Sequence, residues 1–248
     1  MTWLLRRGWK YAAMLGVSAF ALFPVYWVAI TSLKPRSEIY TRTPDLWPSD
    51  PQWHEYPRVL GEGHVGRALL NSLIVAGATT VICLIVGAMA AYALVRFEIP
   101  FKRVLMMLVL MTQMFPLVVL VIPLFMIMRN ADLLGTYAGL IVAYLAFTVP
   151  LAVWVMRGFL VGIPEDLEHA ARTDGATRLG AMWRVILPLA APGLATTAVL
   201  CFLEGWKEFM LALTFMNEEA RKTLPVVVVF VLLRKHLMRG TTAGAVKG

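Results

Sequence analysis

The sequence predicts an all-α bundle of membrane-crossing helices, and three observations carry that expectation. The 248 residues are 59% hydrophobic and only 15% charged, with a mean hydropathy of +0.71. Soluble domains run at about 45–50% apolar and about 25% charged, so this excess has no place in a soluble core. Residues 11–33, 68–95, 104–128, 137–160 and 189–216 are apolar runs of at least the roughly 20 residues that cross a bilayer as a helix. Backbone groups in hydrocarbon must be satisfied within their own segment, which makes each run a helix.

Taken in order, Arg6, Arg7 and Lys10 precede the run 11–33. It is long enough to span and no small-x-small cleavage site follows, so an uncleaved first helix is expected rather than a signal peptide. The Trp- and Pro-rich segment 34–67 carries His54 and His64 beside Trp47 and Trp53; a solvated loop with interfacial tryptophans is a simpler reading than a metal site. In the second run, Gly87 and Ala91 form a small-xxx-small face for close helix packing, and Gly77 with Ala78 are expected to form another. Pro116, Pro123 and Pro150 fall inside the third and fourth runs, where they free backbone carbonyls and bend helices. Cys83 and Cys201 both lie in apolar runs and read as buried free thiols. The sixth run, 224–233, is ten residues. At 1.5 Å per residue it reaches about 15 Å, half of a hydrocarbon core of roughly 30 Å. It is either a partial helix or the remnant of a span from which a segment is missing.

The net charge of +8 does not indicate nucleic acid, because the basic residues flank the apolar runs instead of gathering in one domain. With the N-terminus in the cytoplasm, the inner segments hold 14 basic residues against 5 acidic, and the outer segments 8 against 8. The positive-inside rule supports this orientation. It puts residues 163–188 and the tail RGTTAGAVKG inside, and 34–67 outside.

Residues 163–188, IPEDLEHAARTDGATRLGAMWRVILP, interrupt the apolar pattern with a charged unit. Pro164 suits the first turn of a helix, and Glu165 and Asp166 complement its positive end. Gly175 is a natural left-handed stop. Thr177 caps a second helix on which Leu179, Met182, Trp183 and Ile186 are expected to form the apolar face. A helical hairpin results, with a tip of small and acidic residues. An amphipathic helix resting on headgroups would favour lysines and large apolar side chains there; a small tip admits the groove of a partner protein.

HAARTDGA followed by VILPLAAPG resembles the EAA loop of ABC importer permeases, whose pattern is E-A-A, three residues, G, nine residues, I-x-L-P. Ala170, Ala171, Gly175, Leu187 and Pro188 match, with Val185 in place of Ile. His169 stands where the pattern has Glu, and Glu168 is one position earlier. NSLIVAGATT with AAYALVRFEIPFKR, MFPLVVLVIPLFMIM with LLGTYAGLI, and the ending RGTTAGAVKG extend the similarity to sugar-importer permeases of the maltose/trehalose type. The resemblance implies a type I ABC importer permease fold over 1–248, nominally six transmembrane helices with the last one shortened, in a prokaryotic cell (inner) membrane. It also implies a homologous second permease, two copies of a cytoplasmic ATPase, and an extracytoplasmic sugar-binding protein. The residues it assigns to ATPase coupling are Glu168, His169, Ala170, Ala171, Asp174, Gly175, Ala176, Leu187 and Pro188.

No cofactor is expected on this chain, and ATP and Mg belong to the partner ATPase. Gly175 and Gly180 have P-loop glycine spacing, but Ala181 and Met182 replace the Lys and Ser/Thr that hold phosphate and magnesium. Polar residues inside spans are functional candidates by default. Asn71, Gln113, Glu204, Trp206, Lys207 and Glu208 are therefore candidates for a sugar path; Glu204 and Lys207, one turn apart, can also be a structural ion pair, and Asn71 and Gln113 can simply bond a neighbouring helix. The alternative function is an ion-coupled secondary transporter using Glu204, Lys207 and Glu208. A membrane enzyme would need a reactive cluster, and none is apparent in the sequence.

Overall fold

The computed structural model describes residues 2–39, 41, 45–61 and 64–229. The chain forms two compact units, 1–62 and 63–248. The first is built on α1 (Thr2–Leu33), which runs through Pro24 without a break. Its apolar side chains point outward; Phe20 is 84% exposed. The segment after it, expected as a loop, folds back through α2 (Arg36–Ile39) and α3 (Glu55–Gly61) onto the end of α1. Tyr26 donates to the Leu46 carbonyl at 2.5 Å, and the Gln52 N–H to the terminal Leu33 carbonyl at 2.8 Å, satisfying a helix-end acceptor. Lys34 donates to the Asp45 carbonyl and lies 5.0 Å above the Trp27 ring.

In the second unit α4 (His64–Arg96) is the spine. It packs along α7 (Tyr137–Val161) and α11 (Ala191–Lys207). α4 and α7 approach closely at Gly87, as expected: a Cβ there would lie 2.6 Å from the Cβ of Ala152. Gly87→Leu should therefore lower stability by about 1–3 kcal/mol, read as a fall in the detergent melting temperature. The second small-residue face is corrected. Gly77 has no atom within 4 Å of its would-be Cβ, whereas a Cβ on Gly205 of α11 would lie 3.3 Å from the Cα of Ala76. One residue along a helix turns the face by about 100°, so Ala76 meets the neighbour and Gly77 does not. Cys83 and Cys201 are buried free thiols, with their sulfurs 3.3 Å apart between α4 and α11.

Two of the expected continuous spans are broken. Residues 104–128 form α5 (Lys102–Thr112) and α6 (Leu117–Asn130), which meet at 96°. Pro116, with φ −61° and ψ 127°, is the extended residue that opens α6. It lacks an N–H and forces the residue before it away from helix, so the first helix ends there. Pro123 and Pro150 sit inside continuous helices. Residues 189–216 also divide: α11 stops at Lys207, and α12 (Met210–Phe215) follows. The Glu208 carboxylate causes that break, accepting the N–H groups of Leu211 at 2.8 Å and Ala212 at 3.1 Å.

Among the described residues, three helices are long and apolar enough to cross a membrane, and up to five spans result if α5 with α6, and the helical stretch Arg178–Leu189 with α11 at 80°, each count as one. Residues 224–229 of the sixth run are helical; 230–233 and the tail 239–248 lie outside the described residues.

Candidate functional site: a helical hairpin anchored to the bundle

From the end of α7 the chain turns through Gly162 and Ile163 into α8 (Asp166–Thr173). Pro164 stands just ahead of the helix instead of in its first turn, and the Glu165 carbonyl accepts the N–H groups of Glu168 and His169. At the tip Gly175 has φ +91°. The Ala176 N–H bonds the Ala171 carbonyl at 3.0 Å and the Gly175 N–H bonds that of Arg172 at 3.1 Å. This is the two-bond left-handed stop in which glycine escapes a Cβ penalty. Thr177 then caps α9 (Arg178–Ala181), accepting the Gly180 N–H at 3.0 Å. A wider π turn, Met182–Ile186, leads to α10 (Leu187–Leu189). Pro188 has no N–H to give the Arg184 carbonyl, a known cause of such irregular turns.

The widened turn splits the apolar face expected on the second helix. Met182 and Ile186 are buried against Tyr92, Met156 and Leu160. Leu179 and Trp183 face outward, 56% and 50% exposed. At the tip His169, Ala170, Asp174 and Gly175 are exposed, Ala171 and Ala176 half-buried. Pro188 is exposed and Leu187 buried.

Glu168 turns inward. Tyr92 donates to it at 2.6 Å, and Arg96 Nε stands 3.2 Å from its other oxygen without hydrogen-bond alignment. The Arg96 and Glu168 side chains are 6% and 8% exposed. Arg96 also donates to the Ile163 carbonyl at 2.8 Å and to Glu165 at 3.3 Å. The Arg178 guanidinium lies 4.9 Å over Phe97. The end of α4 is thus fastened to both arms of the hairpin. Tyr92, Arg96 and Phe97 were not among the expected site residues. The available signal was the pair Tyr92 and Arg96, one turn apart at the foot of a span, with an acidic helix start later in the chain.

Each path candidate has a partner of its own within the bundle. Asn71 is buried, donating to the carbonyls of Ala220 and Lys222 at 2.9 Å and accepting from Tyr137 at 2.7 Å. Gln113 donates to the Phe147 carbonyl at 2.7 Å. Lys207 pairs with Glu204 at 2.7 Å, both side chains largely exposed. Trp206 stacks on Phe202 with centroids 5.5 Å apart. Glu208 accepts from Tyr144 at 2.7 Å besides capping α12. Glu208→Ala should cost about 1–2 kcal/mol, seen as a lower melting temperature. Among the described residues no three His, Cys, Asp or Glu side chains gather around a metal position.

The family described as binding-protein-dependent transport system inner membrane component matches residues 83–237, which contain the whole hairpin. The chain belongs to this family. It is 39% identical to the trehalose transport system permease protein SugB of Mycobacterium tuberculosis over 261 residues, covering 94% of each chain. It is 31% identical to the trehalose/maltose transport system permease protein MalG of Thermococcus litoralis over 262 residues, again 94% of each. The fold superposes with a TM-score of 0.72 on the crystal structure of a bacterial ABC transporter involved in the import of the acidic polysaccharide alginate, at 28% identity, covering 90% of this chain and 78% of that one. The chain is thus a multi-pass membrane component of a transport system.

Proposed function

We propose that the chain is one of two homologous permease subunits of an ATP-driven importer, and that its cargo is a sugar of the di- or oligosaccharide class, such as maltose or trehalose. The observation that carries this reading is the hairpin. Its tip is small and exposed, and its base is fixed to α4 through Arg96, Glu168 and Tyr92. A rigid element with a docking tip converts the movement of a partner into movement of the spans attached to it. The named cargoes of the relatives supply the sugar class.

In the mechanism, two copies of a cytoplasmic ATPase bind ATP and Mg and close around the tips of the two permeases. His169, exposed, offers a ring N–H where the family pattern has a carboxylate. Leu179 and Trp183 supply apolar contact beside it. Because α7 enters the hairpin and α11 leaves it, closure swings both and alternates access to the path. An extracytoplasmic binding protein delivers the sugar on the face opposite the hairpin, and the N-terminus lies on the cytoplasmic face. Ion coupling through Glu204, Lys207 and Glu208 is the weaker reading, since Glu204 and Lys207 neutralise each other and Glu208 is held by Tyr144 and the start of α12.

The test is purification of the tagged chain from its native membranes in mild detergent. A second permease and an ATPase should co-purify, with Mg-dependent ATP hydrolysis. A chain that purifies alone and transports in vesicles without ATP overturns the reading.

A further inference from the structure

α5 and α7 run side by side and antiparallel: Gln113 bonds the Phe147 carbonyl just past the end of α5, and Lys102 and Arg103 at its start share a groove with Arg157. Between them lies a groove of about 480 Å³ lined by Lys102, Arg103, Met106, Leu110, Trp154 and Arg157. Three cations border it and no carboxylate does. The Arg157 Nε is buried and makes no hydrogen bond. Among the described residues Lys102 donates to the Val95 carbonyl, at 3.4 Å, and it also borders a second cavity lined by Glu98 and Glu165. Like charges converging on one groove repel one another unless an anion joins them.

The start of α5 adds to the imbalance. Lys102 and Arg103 occupy its first turn, no acidic residue shares that turn, and no side chain caps it. Cations at the positive end of a helix are unfavourable, and an anion relieves this. Below the cations the groove is apolar. Met106 and Leu110 continue from Lys102 at four-residue steps, a stripe leading along the helix away from the charged end. Trp154, one turn before Arg157, is 52% exposed, as a side chain at the headgroup level is.

We propose that this groove binds an anionic phospholipid, its phosphate held by Arg103, Arg157 and Lys102 and one acyl chain lying along Met106 and Leu110. Inorganic phosphate shares the headgroup chemistry but leaves the apolar stripe uncovered. A lipid seated there contacts α7 one turn or two before the hairpin, so the site joins the bilayer to the element that moves. Basic grooves between transmembrane helices are suited to such headgroups.

The test is native mass spectrometry of the intact transporter complex, titrated with phosphatidylglycerol or phosphatidylcholine of matched acyl chains. The complex should retain phosphatidylglycerol at least about tenfold better. The Arg103→Gln/Arg157→Gln variant should lose most of that preference, and the Arg103→Lys/Arg157→Lys variant should keep it. Equal binding of the two lipids by the unaltered complex overturns the proposal, and that comparison stands even where the Gln pair fails to assemble. An unchanged preference in an assembled Gln pair overturns it as well. Displacement of the lipid by millimolar inorganic phosphate alone assigns the groove to free phosphate, which also overturns it.

Discussion

Gly175→Arg should leave the permease folded in the membrane and abolish sugar-stimulated ATP hydrolysis and uptake. Two effects act together. Gly175 sits at φ +91°, where an L side chain costs about 1–2 kcal/mol, so the turn that closes α8 opens or shifts. The arginine side chain also projects from the exposed tip, where the residues around it are small. It has open space within this chain, since no atom lies within 4 Å of a Cβ built there. The bundle itself is therefore spared and the defect falls on docking. Gly175→Ala separates the two effects: it keeps the strain without the bulk and should retain part of the activity. Basal and sugar-stimulated ATPase rates of the reconstituted complex, with co-purification of the ATPase, measure the outcome. Unchanged stimulation in the Arg variant means the tip is not the link.

Glu168→Ala should be the most destabilising single change in the hairpin. It leaves the buried Arg96 guanidinium without the counter-charge 3.2 Å from its Nε and the Tyr92 hydroxyl without its 2.6 Å partner. Removing one member of a buried pair costs about 3–5 kcal/mol. The remaining bonds of Arg96 to Ile163 and Glu165 put the expected loss at the lower end, about 3 kcal/mol. Arg96→Met combined with Glu168→Leu should recover much of the stability, because well-packed apolar replacements of buried pairs are often neutral. Transport should not recover with it, since the directional tie between α4 and α8 is gone. Melting temperature and uptake rate, measured on the same preparations, distinguish stability from coupling. Recovery of both in the double variant would show that the tie only supports the fold.

Span positions were legible because length and hydropathy decide them, and α4 and α7 lie where the apolar runs 68–95 and 137–160 predict. The direction of the chain inside a run was not legible. Residues 113–116 are Gln-Met-Phe-Pro, and hydropathy stays high across a bend of 96° because apolar residues flank both sides. The break at Glu208 had a readable cause, a carboxylate three residues before Leu211, but in a run of apolar residues it read as a path candidate. The hairpin itself was the most legible part: Gly175 and Thr177 stop and start helices through their own backbone chemistry, independent of neighbours. What the sequence did not disclose was its anchor. Arg96 counted only as a cytoplasmic charge, and its meeting with Glu168 depends on how α4 and α8 pack, 72 positions apart along the chain by their residue numbers.

If ATP hydrolysis at a partner drives sugar through this subunit, transport must follow the nucleotide and not an ion gradient. Reconstituted vesicles decide this when they carry the complex, with ATP and Mg enclosed on the hairpin side and the binding protein with labelled sugar on the other. Uptake should require enclosed ATP, persist when ionophores collapse ion gradients, and vanish with Gly175→Arg. Uptake that continues without ATP and stops on adding ionophore would instead make the chain a gradient-driven carrier.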